Sequence, residues 1–496
     1  MKLISMEEQK MRHRTGWILT IFVIGLLIIL VNRNTVPEYK AEVWLTTEDR
    51  SHLLSPQASA VFADDNGNSL QVIDVNPDVR YQTMDGFGAA VTGSSAYLIN
   101  QKMSSAGRDA LIEDLFTSRG IGLNFIRHTI GASDYSVDQY GNPSSYTYDD
   151  IPSGTDYELQ HFSIEKDKEV IRLLKAAVDK NKSIKVLGTP WTAPPWMKYG
   201  SQTYNGWYLN YMDPRIYETY ANYFVRYIHA FAQNGIPIYA ITVQNEPEFS
   251  TPDYPSMNMS APEQAMFIRE YLGPAFTRNR IPAKIIAFDH NWDKGVSYTG
   301  QVLSDSGASQ YIDGTAFHCY GGTSDAMTSV HRAFPSKHVY FTECSGGEWS
   351  TDFGDNLSWF MSNLIIGAPR NWAKSVLLWN IALDPDGGPK NGGCGNCRGV
   401  VTVDPKNGAV TKNVEYFAIG HSSKFVLSGA TRIDSTNDDG SIETVAYENP
   451  DGSIVLIAVN TGPEATSFNV RWKAKSFAYT LPSQSAVTFR WNSSVD

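Results

Sequence analysis

The sequence predicts an α/β fold: a (β/α)8 TIM barrel joined to an accessory all-β sandwich. Three observations carry this. Eight short apolar runs alternate with longer helix-like stretches, that alternation stops near residue 415, and period-two segments flank it on both sides.

The eight runs cover residues 86–91, 121–127, 184–188, 239–243, 284–288, 314–318, 339–342 and 375–379. Near-continuous apolar character marks strands buried on both faces, as in a parallel sheet covered by helices. Eight such units within residues 82–414 suit a closed barrel. The stretches 167–180 and 215–234 read as covering helices, the second stopped by Gly235. Before the barrel, residues 41–81 alternate as strands do, with a turn at Asn66-Gly67, and are expected to join the sandwich. Residues 415–496 should build the rest of it, with strand runs at 453–460 and 485–491 and no further helix.

At the N-terminus, Lys2, Lys10, Arg12 and Arg14 precede an apolar run over 16–32. Excess positive charge ahead of the run places residues 1–15 in the cytoplasm and the bulk of the chain outside. The run is short for a span, long for a signal-peptide core, and lacks an A-x-A-like cleavage site, so it reads as a signal anchor or a signal peptide. Uncleaved, it is a membrane contact. Residues 33–40 form a polar linker.

A net charge of -11 with no basic stripe excludes a nucleic-acid partner. Cys394 and Cys397 form a lone CxxC, insufficient for structural zinc; they close a loop disulfide or stay free thiols. Cys319 and Cys344, at strand ends, are expected as buried free thiols. No cluster has metal-ligand spacing, and there is no nucleophile elbow or phosphate-cradling loop, so neither metal nor cofactor is expected.

In such barrels functional groups sit where strands end. Strand four runs into Gln244-Asn245-Glu246-Pro247 and strand seven into Thr342-Glu343-Cys344. Two carboxyls at different strand ends can flank a scissile glycosidic bond, one as nucleophile, the other as acid and then base. The neighbouring charge of Glu343 should raise the pKa of Glu246. Strand three ends in Trp191 and Trp196, strand six in His318-Cys319-Tyr320, strand eight in Trp379-Asn380. A sugar needs both aromatic faces and directional polar groups, which these ends supply. Arg127 and His128 follow strand two. Arg127 is either a partner for a nucleophilic carboxylate or half of a structural ion pair, while His128 reads as structural.

At this point the sequence resembles glycoside hydrolase family 30, which includes glucosylceramidases and microbial endo-β-1,6-glucanases. The resemblance lies in Asp85-Gly-Phe-Gly, Pro190-Trp-Thr-Ala-Pro-Pro-Trp-Met-Lys, Asn245-Glu-Pro, Phe341-Thr-Glu-Cys, Trp379-Asn-Ile-Ala-Leu-Asp-Pro-Asp-Gly-Gly-Pro and Gly420-His-Ser-Ser-Lys-Phe, in family order across residues 41–491. It implies Glu246 as acid/base and Glu343 as nucleophile, and Trp191, Asn245, Tyr320 and Trp379 as sugar-binding residues; Arg127 and His318 are further substrate-binding candidates. It implies a β-glucan or glucoside substrate and no cofactor. Glucosylceramidases carry Thr-Asp where this chain has Thr92-Gly93, and His-Trp-Tyr where it has His318-Cys319-Tyr320. The missing carboxylate, with the Gly-Cys-Gly-Asn-Cys-Arg-Gly segment, points toward β-1,6-glucan hydrolysis with retention. The alternatives are a glucosylceramidase, a β-1,6-galactanase or, in another class, a non-catalytic carbohydrate-binding surface protein.

Overall fold

The computed structural model describes residues 39–493, apart from 66, 68, 201, 438 and 439. The expected cytoplasmic segment, the apolar run and most of the linker lie outside the described residues, as does Asn66 of the expected turn. Among the described residues, no helix is long and apolar enough to cross a membrane.

Eight parallel strands close a barrel: β1 (Gly86–Val91), β2 (Phe125–Thr129), β3 (Lys185–Thr189), β4 (Ala240–Thr242), β5 (Lys284–Asn291), β6 (Ile312–His318), β7 (His338–Glu343) and β8 (Ala373–Asn380). Each expected apolar run contributes one of them. β2 starts four residues later than its run because Gly122 turns the chain at φ 66, leaving 121–124 as a loop. β8 pairs with β1 and closes the circle, Ser375 opposite Gly86. The two long covering helices are Lys168–Lys180 and Pro214–Gln233. Asp213 caps the second by accepting from the Arg215 N–H, Pro214 opens it, and Gly235 leaves it at φ 79.

The accessory sheet has ten strands drawn from both ends of the chain, and it encloses a second apolar core. Lys40–Thr46 pairs with Ser485–Asn492, and the long strand Gln71–Thr83 lies between Thr431–Ser435 and Thr466–Trp472. Ser453–Asn460 is buried along its whole length. Ile454, Leu456 and Ala458 enter the sandwich core, whereas Val455, Ile457 and Val459 join the barrel's core. A strand with both faces covered loses the polar half of its alternation, which explains its unbroken apolar run.

One helix appears where none was expected. Val414–Ser423 is helical and buried at every position, so it shows no polar face to mark it in sequence. Its His421 hydrogen-bonds Thr46 and Thr488, at 2.9 and 2.8 Å, locking barrel to sandwich.

Both cysteine pairs are disulfides. Cys319–Cys344 joins the segments that leave β6 and β7, correcting the expectation of free thiols, and Cys394–Cys397 closes its loop. Adjacent parallel strands bring residues 25 apart in sequence to a Cα separation of 5.4 Å, a proximity invisible in linear spacing. Of the Asn-X-Ser sequons Asn258-Met-Ser and Asn356-Leu-Ser, the first has an exposed asparagine, whereas Asn356 is buried with its amide donating to Ser350 and Asp352.

The β1–β2 seam has no room for a side chain. A Cβ on Gly88 would stand 1.7 Å from the Phe125 carbonyl oxygen, and backbone cannot rotate away. Gly88→Ala should destabilise the protein by at least about 3 kcal/mol in urea unfolding; an unchanged midpoint would show that the seam can open.

Candidate active site

Period-two geometry stacks two layers inside the barrel. Phe125, Leu187, Ala240, Ala316 and Tyr340 form an apolar plug. Two residues further along the same strands stand Arg127, Thr189, Thr242, His318 and Thr342, all buried. On β5 that rule would send Phe288 inward after Ile286. Instead Phe288 and Asp289 take φ values of 73 and 82, and the register with β6 shifts there. This bulge turns Asp289 into the interior.

Asp289 is the hub of the polar layer. Its Oδ1 accepts from His318 Nε2 at 3.0 Å and Thr342 Oγ1 at 2.6 Å, and its Oδ2 accepts from Arg127 Nη2 at 2.9 Å and Thr242 Oγ1 at 2.7 Å. Burial alone would raise its carboxyl, but Arg127 and His318 hold it well below the ordinary range. Arg127 also donates to Glu343 Oε2 and, at 2.7 Å, to Asn245 Oδ1. Its guanidinium lies 4.9 Å from the ring centroid of Trp191, which stacks on Trp379 at 5.2 Å.

Above this layer lies a cavity of about 370 Å³ bounded by Glu246, Glu343, Asn245, Trp191, Trp379 and Tyr320. Six of the eight expected site residues thus share one space. The other two, Arg127 and His318, do not reach it. Both are fully buried beneath the carboxylates, to which each is hydrogen-bonded. His128 packs on Phe231 and meets Tyr227, in keeping with a structural role. Trp196 likewise turns away from the cavity, its indole N–H donating to Asp149.

The two glutamates sit in opposite settings. Glu343 accepts from Arg127 on one oxygen and from the Tyr320 hydroxyl on the other, at 2.9 Å. Glu246 faces imidazoles, His318 Nδ1 at 3.1 Å and His290 Nδ1 at 3.6 Å. Its backbone has φ 45, held by the Glu246 N–H donating to Asp289 O at 3.0 Å; such strain in a non-glycine residue is characteristic of functional sites. Burial would depress His318, but the charges of Glu343 and Asp289 and hydrogen bonds to Asp289 and Glu246 push it up to about 9. The raised pKa expected for Glu246 is not found. Burial raises it, yet the hydrogen bond and charge of His318, with His290 and Arg127 behind, bring it below the ordinary value. Glu246 and His318, in hydrogen-bond contact, therefore titrate as a coupled pair.

By distance, Glu246, His290 and His318 could hold a metal ion, with ligand atoms within 4.8 Å of one another. However, Lys294 Nζ lies 3.2 Å from His290 Nε2, and a lysine can only donate there. That assigns the ring proton to Nδ1, facing Glu246, so the trio is arranged around a proton rather than a cation.

Asp289, His290 and Asp134 were missed in the sequence. Asp289 and His290 directly follow the apolar run of strand five, so the strand-end rule could have found them. Asp134 lies in the loop after β2 and has no such signal. It lines the cavity, and burial, reinforced by the charges of Glu343 and Glu246, pushes its carboxyl well above the ordinary range. Gly93 makes room for this loop. A Cβ there would come 3.2 Å from Ser136 Cα, and the Ser94 N–H donates to Tyr135 O at 2.9 Å. Beside the position where the resemblance lacks a carboxylate, the structure thus brings in another.

A closed α/β barrel with two glutamates in one aromatic-walled cavity at its strand ends defines a glycoside hydrolase. More particularly, the chain belongs to glycoside hydrolase family 30. Residues 84–426 match the glycosyl hydrolase family 30 TIM-barrel domain and residues 429–489 the family 30 beta sandwich domain. It is 36% identical over 453 residues to an endo-1,6-beta-D-glucanase of Neurospora crassa, covering 88% of this chain and 92% of that protein. To the lysosomal acid glucosylceramidase of Mus musculus it is 28% identical, covering 89% and 87%. Among solved structures, an endo-beta1,6-glucanase at 35% identity superimposes with a TM-score of 0.82, over 91% of this chain and 99% of that one.

His318 also makes stability depend on pH. Its folded pKa of about 9 exceeds the unfolded value, so its contribution is complete below about pH 6.5 and is lost as pH rises through 9. Wild-type protein should lose about 3 kcal/mol more between pH 6.5 and 9.5 than His318→Gln in urea titrations; parallel losses would place the proton elsewhere.

Proposed function

We propose that this family 30 hydrolase is an endo-β-1,6-glucanase that retains anomeric configuration, with Glu343 as nucleophile and Glu246 as acid/base. The observation that carries the assignment of roles is the contrast between two carboxyls in one cavity. Glu343 is salt-bridged and oriented by Arg127 and Tyr320, as attack on an anomeric carbon requires, while Glu246 has a proton-bearing partner in His318. The glucan specificity is supported by relatives named endo-1,6-beta-D-glucanase at 34 and 36% identity.

The proton partner explains how Glu246 serves as an acid despite its lowered pKa. Among the groups that raise His318, the charge of Glu343 comes first. As Glu343 bonds to the sugar that charge disappears, His318 becomes a weaker base, and its Nδ1 proton passes through Glu246 to the leaving oxygen. In the second step Glu246 takes a proton from water and the ester to Glu343 is hydrolysed. Asn245 has its amide oxygen committed to Arg127, so it offers a sugar hydroxyl its NH2. Asp134 supplies a further hydrogen-bonding carboxyl.

The chain acts outside the cytoplasm, in keeping with two disulfides. There the apolar run 16–32 tethers it to a membrane. Activity that pellets with membranes, and becomes soluble when residues 1–32 are removed, is the expected result; soluble activity from the full chain would rule out the tether.

Pustulan, a β-1,6-glucan, and glucosylceramide should be assayed side by side, with the first product's anomer followed by proton NMR. β-Anomeric gluco-oligosaccharides from pustulan are expected; glucose from the lipid alone would favour glucosylceramidase. Glu343→Gln should abolish turnover. Glu246→Gln should slow pustulan cleavage by about 10²–10⁴-fold, yet spare an aryl glucoside whose leaving group needs no proton. Asp134→Ala should raise KM about tenfold, the value of one hydrogen bond; an unchanged KM would remove Asp134 from the substrate contacts.

A further inference from the structure

A second cavity, of about 430 Å³, adjoins the catalytic one, and Tyr320 and Trp349 belong to both walls. Its remaining wall includes Trp359, Phe360, Ser345, Ser350 and Asp355, beside the Cys319 disulfide. Trp349 and Trp359 are 57% and 42% exposed, unusual for indoles, which normally bury most of their surface.

The segment that leads into Trp349 is anchored. Gly346 and Gly347 pair with Arg398 and Cys397, and Arg398 is anchored to the buried Glu415 at 2.9 Å. Both glycines are required by close approach. A Cβ on Gly347 would lie 2.1 Å from the Trp349 ring, and one on Gly346 would lie 1.8 Å from Glu415 Oε1. A backbone segment anchored before a ligand arrives loses little entropy on binding.

On the glucanase reading above, we propose that this second cavity binds further glucosyl units of the same polymer chain, stacked on Trp349 and Trp359. A pyranose ring offers an apolar face to an indole and hydroxyls to Ser350 and the exposed Asp355 carboxylate. An alkyl chain in the same place would strip water from Asp355 without replacing its hydrogen bonds. Continuity through Tyr320, whose hydroxyl meets Glu343, lets one chain occupy both cavities. Binding along the chain, rather than at its end, is what internal cleavage demands.

Trp359 lies outside the catalytic cavity, which makes Trp359→Ala the discriminating variant. It should raise KM for pustulan about tenfold, within the range for loss of one aromatic stack, and leave kcat/KM for an aryl β-glucoside unchanged. Trp359→Phe should restore most of the lost affinity, separating stacking from a folding defect. An equal fall on both substrates, or no fall on pustulan, overturns the inference and leaves the glucanase reading standing. A fall confined to glucosylceramide overturns it in favour of a lipid-binding cleft. Wild-type protein that does not cleave pustulan overturns both.

Discussion

The Asp289 carboxylate, buried where the barrel's apolar plug meets its polar layer, binds partners from β2, β3, β4, β6 and β7. Removing a charge from water costs several kcal/mol, and only a full set of partners compensates. Here Oδ1 accepts two hydrogen bonds and Oδ2 three, and Arg127 and His318 bring positive charge. Breaking such a pair commonly costs about 3–5 kcal/mol, because the surviving charge is left buried alone. The layer is thus both a constraint on the fold and the base on which the site stands.

From that base the geometry of both glutamates follows. Arg127 reaches Asp289 with one nitrogen and Glu343 with the other, so the position of Glu343 is set by the hub. His318 lies between Asp289 and Glu246, and the Glu246 backbone hangs from the Asp289 carbonyl. The two carboxyls differ in their partners, not in their chemistry. One faces a guanidinium that never gives up its proton, the other an imidazole that does.

Around the site, the rim is built by loops rather than strands. The disulfide after β6 and β7, the glycine pair before Trp349, and the loop that packs on Gly93 each place one group at the rim. These loops are held by tertiary contacts, as the Tyr135 hydroxyl donating to Cys394 O illustrates. A rigid barrel with variable loops is how one fold accommodates different ligands.

Linear order carries whatever periodicity encodes. Eight apolar runs announced eight barrel strands, and the strand-end rule singled out Glu246, Glu343, Trp191, Tyr320 and Trp379, which line one cavity. Strand-end residues inherit their direction from the pleat, so their convergence needs no knowledge of distant contacts. Folding alone settles what depends on local breaks in that period or on neighbours far along the chain. The bulge at Phe288 and Asp289 reversed an inward-facing position, and Val414–Ser423, buried on all sides, concealed its helical period. Parallel pairing made a disulfide of Cys319 and Cys344, and His318, through space, lowered a pKa expected to rise. Electrostatics acts across distances that linear order does not record, which is why the protonation of the site became legible only once the chain was folded.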